Sequence, residues 1–411
     1  MKKFITSLVA LSAVSLAFVG STNVSAQDGN LEIFNQKIEM QATLQEIVAD
    51  FNEEFGANAE VVTVPDAGTV LRTRMANNEA PDVINVYPQN ADFKQWAADN
   101  RFVDLTDQDF LNNLVEGTAE TYAINDRIYN LPLTTNSWGF FYNVDLFNEL
   151  GLEVPATWSD FEALVNQIKE SDHIPFAGAF STQDSWTLNG YHQLAWVNAA
   201  GSPEAANDYL RFSEVGAISA EDEVTQKVAE QLSLLVDNAQ PNANGASYAD
   251  SIASFVNGQG LILPNGMWAL PVIMQQQPSF EVGTFPYPGQ EAGQELTVGA
   301  ADLAFSVSEE SDNKELALQF LEYMTREDVL VRYYDIDGMP TTLTALQDHF
   351  PFEQTRAVSE LVNTDKHFIW LQSEWNSEEG FWHATVDYIN SGGDINVLET
   401  GLNNHFDPMK N

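Results

Sequence analysis

Hydrophobic and polar positions near the start of the chain predict strands and helices in a regular order. Residues 31–34, 60–64 and 82–86 are short apolar runs that predict strands, and residues 70–77 predict a helix between the last two. Between the first two strands, apolar residues recur at the spacing of an amphipathic helix: Leu44, Ile47, Val48, Phe51 and Phe55. This strand–helix–strand order is typical of an α/β domain whose sheet is mostly parallel.

The middle and the end of the chain predict further elements of the same kinds. Residues 139–143 form an apolar run that predicts a strand. Thr157 followed by Asp160 predicts the start of a helix with a variant of the capping box. Asp312 with Glu315 predicts a second helix start near the end of the chain, and helices dominate the residues that follow.

Three connections rich in turn-forming residues interrupt these elements, near residues 134–138, 286–296 and 337–342. They predict two lobes joined by several strands, which is the arrangement of a hinged clamp. A chain of 411 residues is long enough for two domains with cores of their own.

The first residues predict an export signal and not a part of the fold. Lys2 and Lys3 precede a short apolar stretch at residues 4–19, and the small residues at 24–26 fit a cleavage site. Residues 1–26 are therefore assigned as a signal peptide. A transmembrane anchor fits less well, because the stretch is short for a span. We expect a protein that is exported to the periplasm or the extracellular space.

Cysteine content and charge narrow the possible functions. The chain contains no cysteine, which excludes disulfides and thiol catalysis, and Ser21 stands where an exported binding protein would carry a lipid-anchor cysteine. The sequence has 60 Asp and Glu against 17 Lys and Arg, for a net charge of −43, and this field repels nucleic acid. Because the acids are spread along the chain, we favour adaptation to saline or alkaline surroundings over a cationic ligand.

Polar and aromatic segments lie where predicted strands or helices end, at residues 35–39, 87–92, 131–138 and 264–268. In open α/β sheets, ligands bind beyond the carboxyl ends of the strands. Tryptophan faces suit the apolar side of a sugar ring, and amides and carboxylates suit its hydroxyls. These segments therefore predict a protein that binds a neutral polyhydroxylated ligand, without catalysis.

Several segments resemble the extracellular solute-binding proteins of ABC importers, the large carbohydrate-binding group that includes maltose-binding protein. They are APDVINV at 80–86, IYNLP at 128–132 followed by FFYN at 140–143, LGLEVPATW at 150–158 and NKELALQFL at 313–321. Their order and spacing together are specific. VYPQN at 86–90 and YYDIDGMP at 333–340 look most like the multiple-sugar branch, which takes α-glucosides and α-galactosides such as raffinose or isomaltose.

The resemblance implies the two-lobed periplasmic-binding-protein fold of type II. Each lobe would be a mostly parallel sheet flanked by helices, with a hinge of several strands. The expected N-terminal lobe comprises residues 27–135 plus 292–338, and the expected C-terminal lobe comprises 136–291 plus 339–411. Such a protein is a monomer without a cofactor, which closes on an oligosaccharide and delivers it to an ABC permease.

The resemblance also implies which residues contact the ligand, after the first and third strands, at the hinge and in the second lobe. They are Lys37, Asn90, Asn136, Trp138, Asp184, Trp186, Asn265 and Trp268, with Asp302 and Asp337 at the other two crossings. Two alternatives stay open from the residues alone. Each tryptophan can instead pack in a core, and Lys37 can be a solvated loop charge.

Two other functions remain as alternatives. A secreted glycoside hydrolase needs two opposed carboxylates, which an acid-rich chain can always supply, but no rhythm of eight βα units is present. The same fold could also bind a polyamine, and salt-sensitive binding would favour that. The histidines show no metal-ligand spacing, so no metal site and no catalytic residue is predicted.

Overall fold

The computed structural model describes residues 30–410, so the predicted signal peptide at 1–26 lies outside the described residues. The strands in this part of the chain are β1 (Asn30–Asn35), β2 (Asn58–Thr63), β3 (Val83–Asn85), β4 (Leu131–Pro132), β5 (Trp138–Asn143), β6 (Ile262–Gly266), β7 (Val282–Phe285), β8 (Thr297–Gly299), β9 (Ala304–Val307) and β10 (His367–Ile369). None of the described helices is long and apolar enough to cross a membrane.

The helices surround these strands. They are α1 (Gln41–Phe55), α2 (Ala67–Ala76), α3 (Ala91–Ala98), α4 (Val144–Leu150), α5 (Trp158–Glu170), α6 (Asn189–Ala200), α7 (Pro203–Leu210), α8 (Glu223–Val236), α9 (Tyr248–Val256), α10 (Leu270–Gln275), α11 (Lys314–Met324), α12 (Glu327–Asp337), α13 (Arg356–Ser359), α14 (Glu379–Asn390) and α15 (Ile395–Phe406). The early strands and helices predicted from the sequence are all present.

The first sheet has the strand order β2-β1-β3-β9-β4. β1 runs parallel to β2 and β3, with Ile33 opposite both Val61 and Val83. β9 runs antiparallel to β3 and β4, so the sheet is mixed. The carboxyl ends of the parallel strands meet at one edge, where the segments after β1, β2 and β3 begin.

The second sheet corrects one prediction, because its strands are antiparallel and not mostly parallel. β5 lies between β6 and β7 and runs opposite to both. Single parallel bridges extend this sheet beyond β6, where Phe176 pairs with Ile262 and with Ala239. An apolar run that is buried on both faces reads alike in a parallel and in an antiparallel sheet, so the sequence did not determine strand direction.

Buried side chains form separate cores around the two sheets. The apolar face of α1 packs with Phe305 and Phe320 against the first sheet, whereas Phe140 and Phe161 pack in the core of the second. The predicted lobe limits stay a prediction, but Ala300, which that prediction places in the N-terminal lobe, packs in the second core. Ala300 belongs to the second core and Leu303 to the first, so the chain passes from one core to the other within residues 300–303.

The helix starts show one confirmed cap and one correction. Thr157 Oγ1 accepts a hydrogen bond from the Asp160 backbone, and the Asp160 carboxylate accepts one from the Thr157 backbone, as the capping box predicts. The predicted start at Asp312 is wrong, because α11 follows Asn313 and no side chain caps it. The Asn313 amide instead donates to the carbonyl of Asn30, at 3.1 Å.

Candidate functional site

A cleft with a volume of about 1350 Å³ lies between the two lobes. The first lobe lines it with the segments that follow β1 and β3 and with the start of α2, including Lys37, Tyr87 and Asn90. The second lobe contributes the starts of α6, α9 and α14 and the segment around Trp268. Pockets for drug-sized ligands span about 300–1,000 Å³, so this cleft has room for a ligand of several rings.

Lys37 is anchored by an ion pair with two carboxylates. Its Nζ contacts Asp302 and lies 2.7 Å from Asp337 Oδ1, and its side chain is 2% exposed. Lys37 backbone N–H donates to the side chain of Asn35, which fixes the turn after β1. The alternative reading of Lys37 as a solvated loop charge is therefore wrong.

Burial and charge act against each other in this cluster. Burial alone would lower the pKa of Lys37, but Asp302 and Asp337 outweigh it and hold that pKa well above its usual value. Burial raises the pKa of Asp337 to about 7, although Lys37 opposes the rise. Lys37 thus stays protonated, with a donor left for a ligand after its two carboxylate contacts.

Asn136 connects this cluster to the hinge. Its Nδ2 donates to Asp302 Oδ1 at 3.1 Å, and its Oδ1 accepts from the Ala300 backbone at 2.9 Å. The hinge strands lie so close that a Cβ at Gly299 would overlap the Asn136 carbonyl, which requires glycine there. The predicted hinge residues Asn136 and Asp302 therefore meet, and both line the cleft.

The tryptophans of the second lobe differ in exposure. Trp138 lines the cleft but is only 1% exposed and packs edge-on against Phe140 and Tyr191, so it is mainly a core residue. Trp186 and Trp268 are half-buried and line the cleft. The ring of Trp268 folds over Gly266, where a Cβ would overlap it. Trp186 and Trp268 therefore offer aromatic faces to a ligand.

Three predicted residues do not line the cleft. Asp337 lies behind it as a partner of Lys37. Asp184 accepts from the Tyr248 backbone at 2.9 Å and so holds the start of α9. Asn265 is buried in β6 and its Oδ1 bonds the Gly266 backbone. These residues support the cleft from behind, and only Asn265 lies in a strand, where side chains alternate between the two faces of the sheet.

Sequence reasoning missed Tyr248, Glu39 and Trp382, which all line the cleft. Tyr248 begins α9, and the Ser247–Asp250 capping box was a readable signal for that helix start. Burial raises the pKa of Tyr248, with a contribution from the charge of Glu39. Trp382 lies in α14, and no strand end or motif marks its position.

One end of the cleft holds a group of charges from both lobes. Arg72 lies 3.3 Å from Asp92 in the first lobe and 3.8 Å from Glu379 in the second. Asn90 Nδ2 donates to Glu378 Oε1 at 3.4 Å, also between lobes. Burial, together with the charge of Asp92, raises the pKa of Glu378 to about 7. The Glu378 carboxyl group therefore lies in a poorly solvated, negatively charged position between the lobes.

The described residues contain no group of three His, Asp or Glu side chains placed to hold a metal ion. The cleft instead offers aromatic rings together with amide, carboxylate and ammonium groups. Such a surface suits a neutral ligand that has both apolar and hydroxylated faces.

Comparison with known proteins shows to which family the chain belongs. Residues 36–330 match the family described as bacterial extracellular solute-binding protein. The chain belongs to this family. A multiple sugar-binding protein of Streptococcus mutans is 43% identical over 412 residues, which cover 98% of this chain and 96% of the relative. Membership confirms the predicted family, and it favours a binding protein over a hydrolase.

Solved structures of solute-binding proteins agree over nearly the whole chain. RafE in complex with raffinose is 42% identical, with a TM-score of 0.87, and covers 93% of this chain and 99% of its own. The apo-form of RafE from Streptococcus pneumoniae is 42% identical, with a TM-score of 0.82, and covers 92% and 97%. The type II two-lobed fold is thus confirmed.

Proposed function

We propose that this protein captures an α-linked oligosaccharide, an α-glucoside or α-galactoside, by closing its lobes and delivers it to an ABC permease. The observation that carries the proposal is the pairing of surfaces across one cleft. The second lobe presents the half-buried rings of Trp186 and Trp268, and the first lobe presents Lys37 and Asn90. The similarity to a multiple sugar-binding protein and to RafE with raffinose supports the same ligand class.

The residues proposed to contact the sugar are the predicted ones that line the cleft. We propose that seven of them contact sugar: Lys37, Asn90, Asn136, Trp138, Trp186, Trp268 and Asp302. Asp184, Asn265 and Asp337 act by holding α9, β6 and Lys37 in place. Tyr248 and Glu39 join the set from across the cleft.

Lobe closure supplies the mechanism. A ligand held by residues of both lobes stabilises the closed state, since it binds that state better than the open one. Only the chain crossings at the hinge have to bend, while the two cores move as units. The permease then recognises the closed form, and no bond in the sugar is made or broken.

Calorimetric titration with raffinose tests the proposal. We expect one sugar per protein for the wild type and about tenfold or greater loss of affinity for Trp268→Ala, because the aromatic face is removed. Trp268→Phe, which keeps an aromatic face, is the matched control and should retain most of the affinity. Because Trp268 is half-buried, we expect Trp268→Ala to cost about 1–1.5 kcal/mol of unfolding free energy. Normal raffinose binding by Trp268→Ala would refute the site, and release of reducing sugars would refute the function.

A further inference from the structure

The charged end of the cleft is lined by different residues from those around Lys37. We call it the Arg72 arm and define it by Arg72, Asp92, Glu378, Glu379 and Trp382, all of which line the cleft. The Lys37 cluster instead joins Asp302 and Asp337 and, through Asp302, the hinge residue Asn136. Arg72 lies near Asp92 and Glu379 and is not part of that cluster. The cleft thus has two polar regions.

Both lobes build the Arg72 arm. Arg72 and Asp92 come from α2 and α3, whereas Glu379 and Trp382 come from α14. Arg72 is 45% exposed, Asp92 47% and Glu379 63%, so these side chains have room to bind something besides one another. The 3.8 Å separation of Arg72 and Glu379 is too long for a direct hydrogen bond.

Unused hydrogen-bonding capacity lies at the same end. Trp382 Nε1 and Asn90 Oδ1 are buried, and no residue in the described part of the chain supplies a partner for either. Buried polar atoms are usually paired, so a donor and an acceptor without partners beside a cleft indicate a place for a ligand group. A sugar hydroxyl donates one hydrogen bond and accepts others, so it can serve both.

We propose that the Arg72 arm is a specificity-determining extension that holds an additional sugar ring, so that the protein prefers oligosaccharides of three or more rings over disaccharides. This rests on the proposed function. Arg72 donates to ring hydroxyls, Asp92 and Glu379 accept from them, and Trp382 supplies an aromatic surface. The cleft volume of about 1350 Å³ accommodates such a ligand. Because both lobes contribute, a ring in the arm also strengthens closure.

Titration of Arg72→Ala with a disaccharide, a trisaccharide and a tetrasaccharide of one α-galactoside series tests this. We expect the ratio of trisaccharide or tetrasaccharide affinity to disaccharide affinity to fall by about tenfold, the size of a lost hydrogen bond to a charged group. Arg332→Ala is the matched control, because Arg332 is 38% exposed and ion-paired with Asp50 but does not line the cleft. It should leave all affinities unchanged. Asp92→Asn, which keeps the shape of the side chain, should lower the same ratio by a smaller factor.

The outcomes separate this inference from the function on which it rests. An equal loss for all ligand lengths would overturn the arm as a specificity element and leave it as a bridge between lobes. No change in the ratio for either variant would also overturn it, while sugar capture would stand. A wild-type protein that binds no sugar of any length would instead refute the proposed function.

Discussion

Lys37 shows how one residue connects the architecture of the hinge to the ligand site. It is among only 17 basic residues against 60 acidic ones, and it lies buried between Asp302 and Asp337. The sequence marked all three as candidates. It did not show that they meet, because 265 and 300 residues separate the partners from Lys37 along the chain. Asp302 then holds Asn136, so the same cluster fixes a hinge crossing.

Replacing Lys37 with Met should strongly destabilise the protein. The variant keeps most of the length of the side chain but leaves two buried carboxylates without their cation, which typically costs about 3–5 kcal/mol. The loss should shrink as the pH falls, because protonation removes the uncompensated charges. Urea denaturation at neutral and acidic pH measures both effects.

Lys227→Met is the control for this substitution. Lys227 pairs with Glu223 on the exposed surface of α8, so its removal should change the free energy of unfolding by less than about 1 kcal/mol. Similar losses for the two variants would show that the Lys37 ion pair contributes no more than a surface pair.

Among the elements of secondary structure, the sequence predicted where a helix or strand lies better than it predicted the direction in which a strand runs. The amphipathic face of α1 and the capping box of α5 were readable, because each depends on neighbours within a few residues. The antiparallel pairing of β5 with β6 and β7 was not, since it depends on segments more than a hundred residues apart. The start of α11 was misread for a similar reason, because a distant carbonyl, that of Asn30, binds the Asn313 amide.

Thr157→Ala should lower the free energy of unfolding by about 1 kcal/mol, the usual contribution of an N-cap side chain. The hydroxyl of Thr157 satisfies the Asp160 backbone N–H, which loses its partner in the variant. Asp312→Ala is the control and should change stability by less than about 0.5 kcal/mol, as surface positions do. Thermal and urea unfolding of both proteins measure this. If Asp312→Ala were the more harmful substitution, the assignment of the two helix starts would be wrong.

In the whole molecule, Glu378 lies between the lobes near Asp92 and Glu379, with Arg72 as the cation nearby, and we expect closure of the lobes to be what buries it. Opening exposes Glu378 to water and returns its pKa toward the usual value. Closure therefore takes up a proton. The contribution of this proton to the stability of the closed state is full below the pKa of Glu378 in the open form. It is lost as the pH rises through about 7, the pKa of Glu378 in the closed form.

Sugar affinity should consequently fall by about tenfold between pH 6 and pH 8, from the linkage of one carboxyl group. Glu378→Gln should remove most of this slope, because its side chain does not titrate. Titration calorimetry in buffers of different ionisation enthalpy also counts the proton taken up. A slope that survives in Glu378→Gln would assign the proton to another group, such as Asp337.

A thermal-shift comparison of raffinose and spermidine on the mature protein tests whether the closing cleft captures an α-linked oligosaccharide. A ligand that binds only the native state raises the melting temperature, and the stabilisation grows with the logarithm of the ligand concentration above Kd. We expect a clear rise with raffinose or another α-linked oligosaccharide and none with spermidine. A rise with spermidine alone would contradict this expectation, since the acidic groups of the cleft would then select a cation and not a sugar.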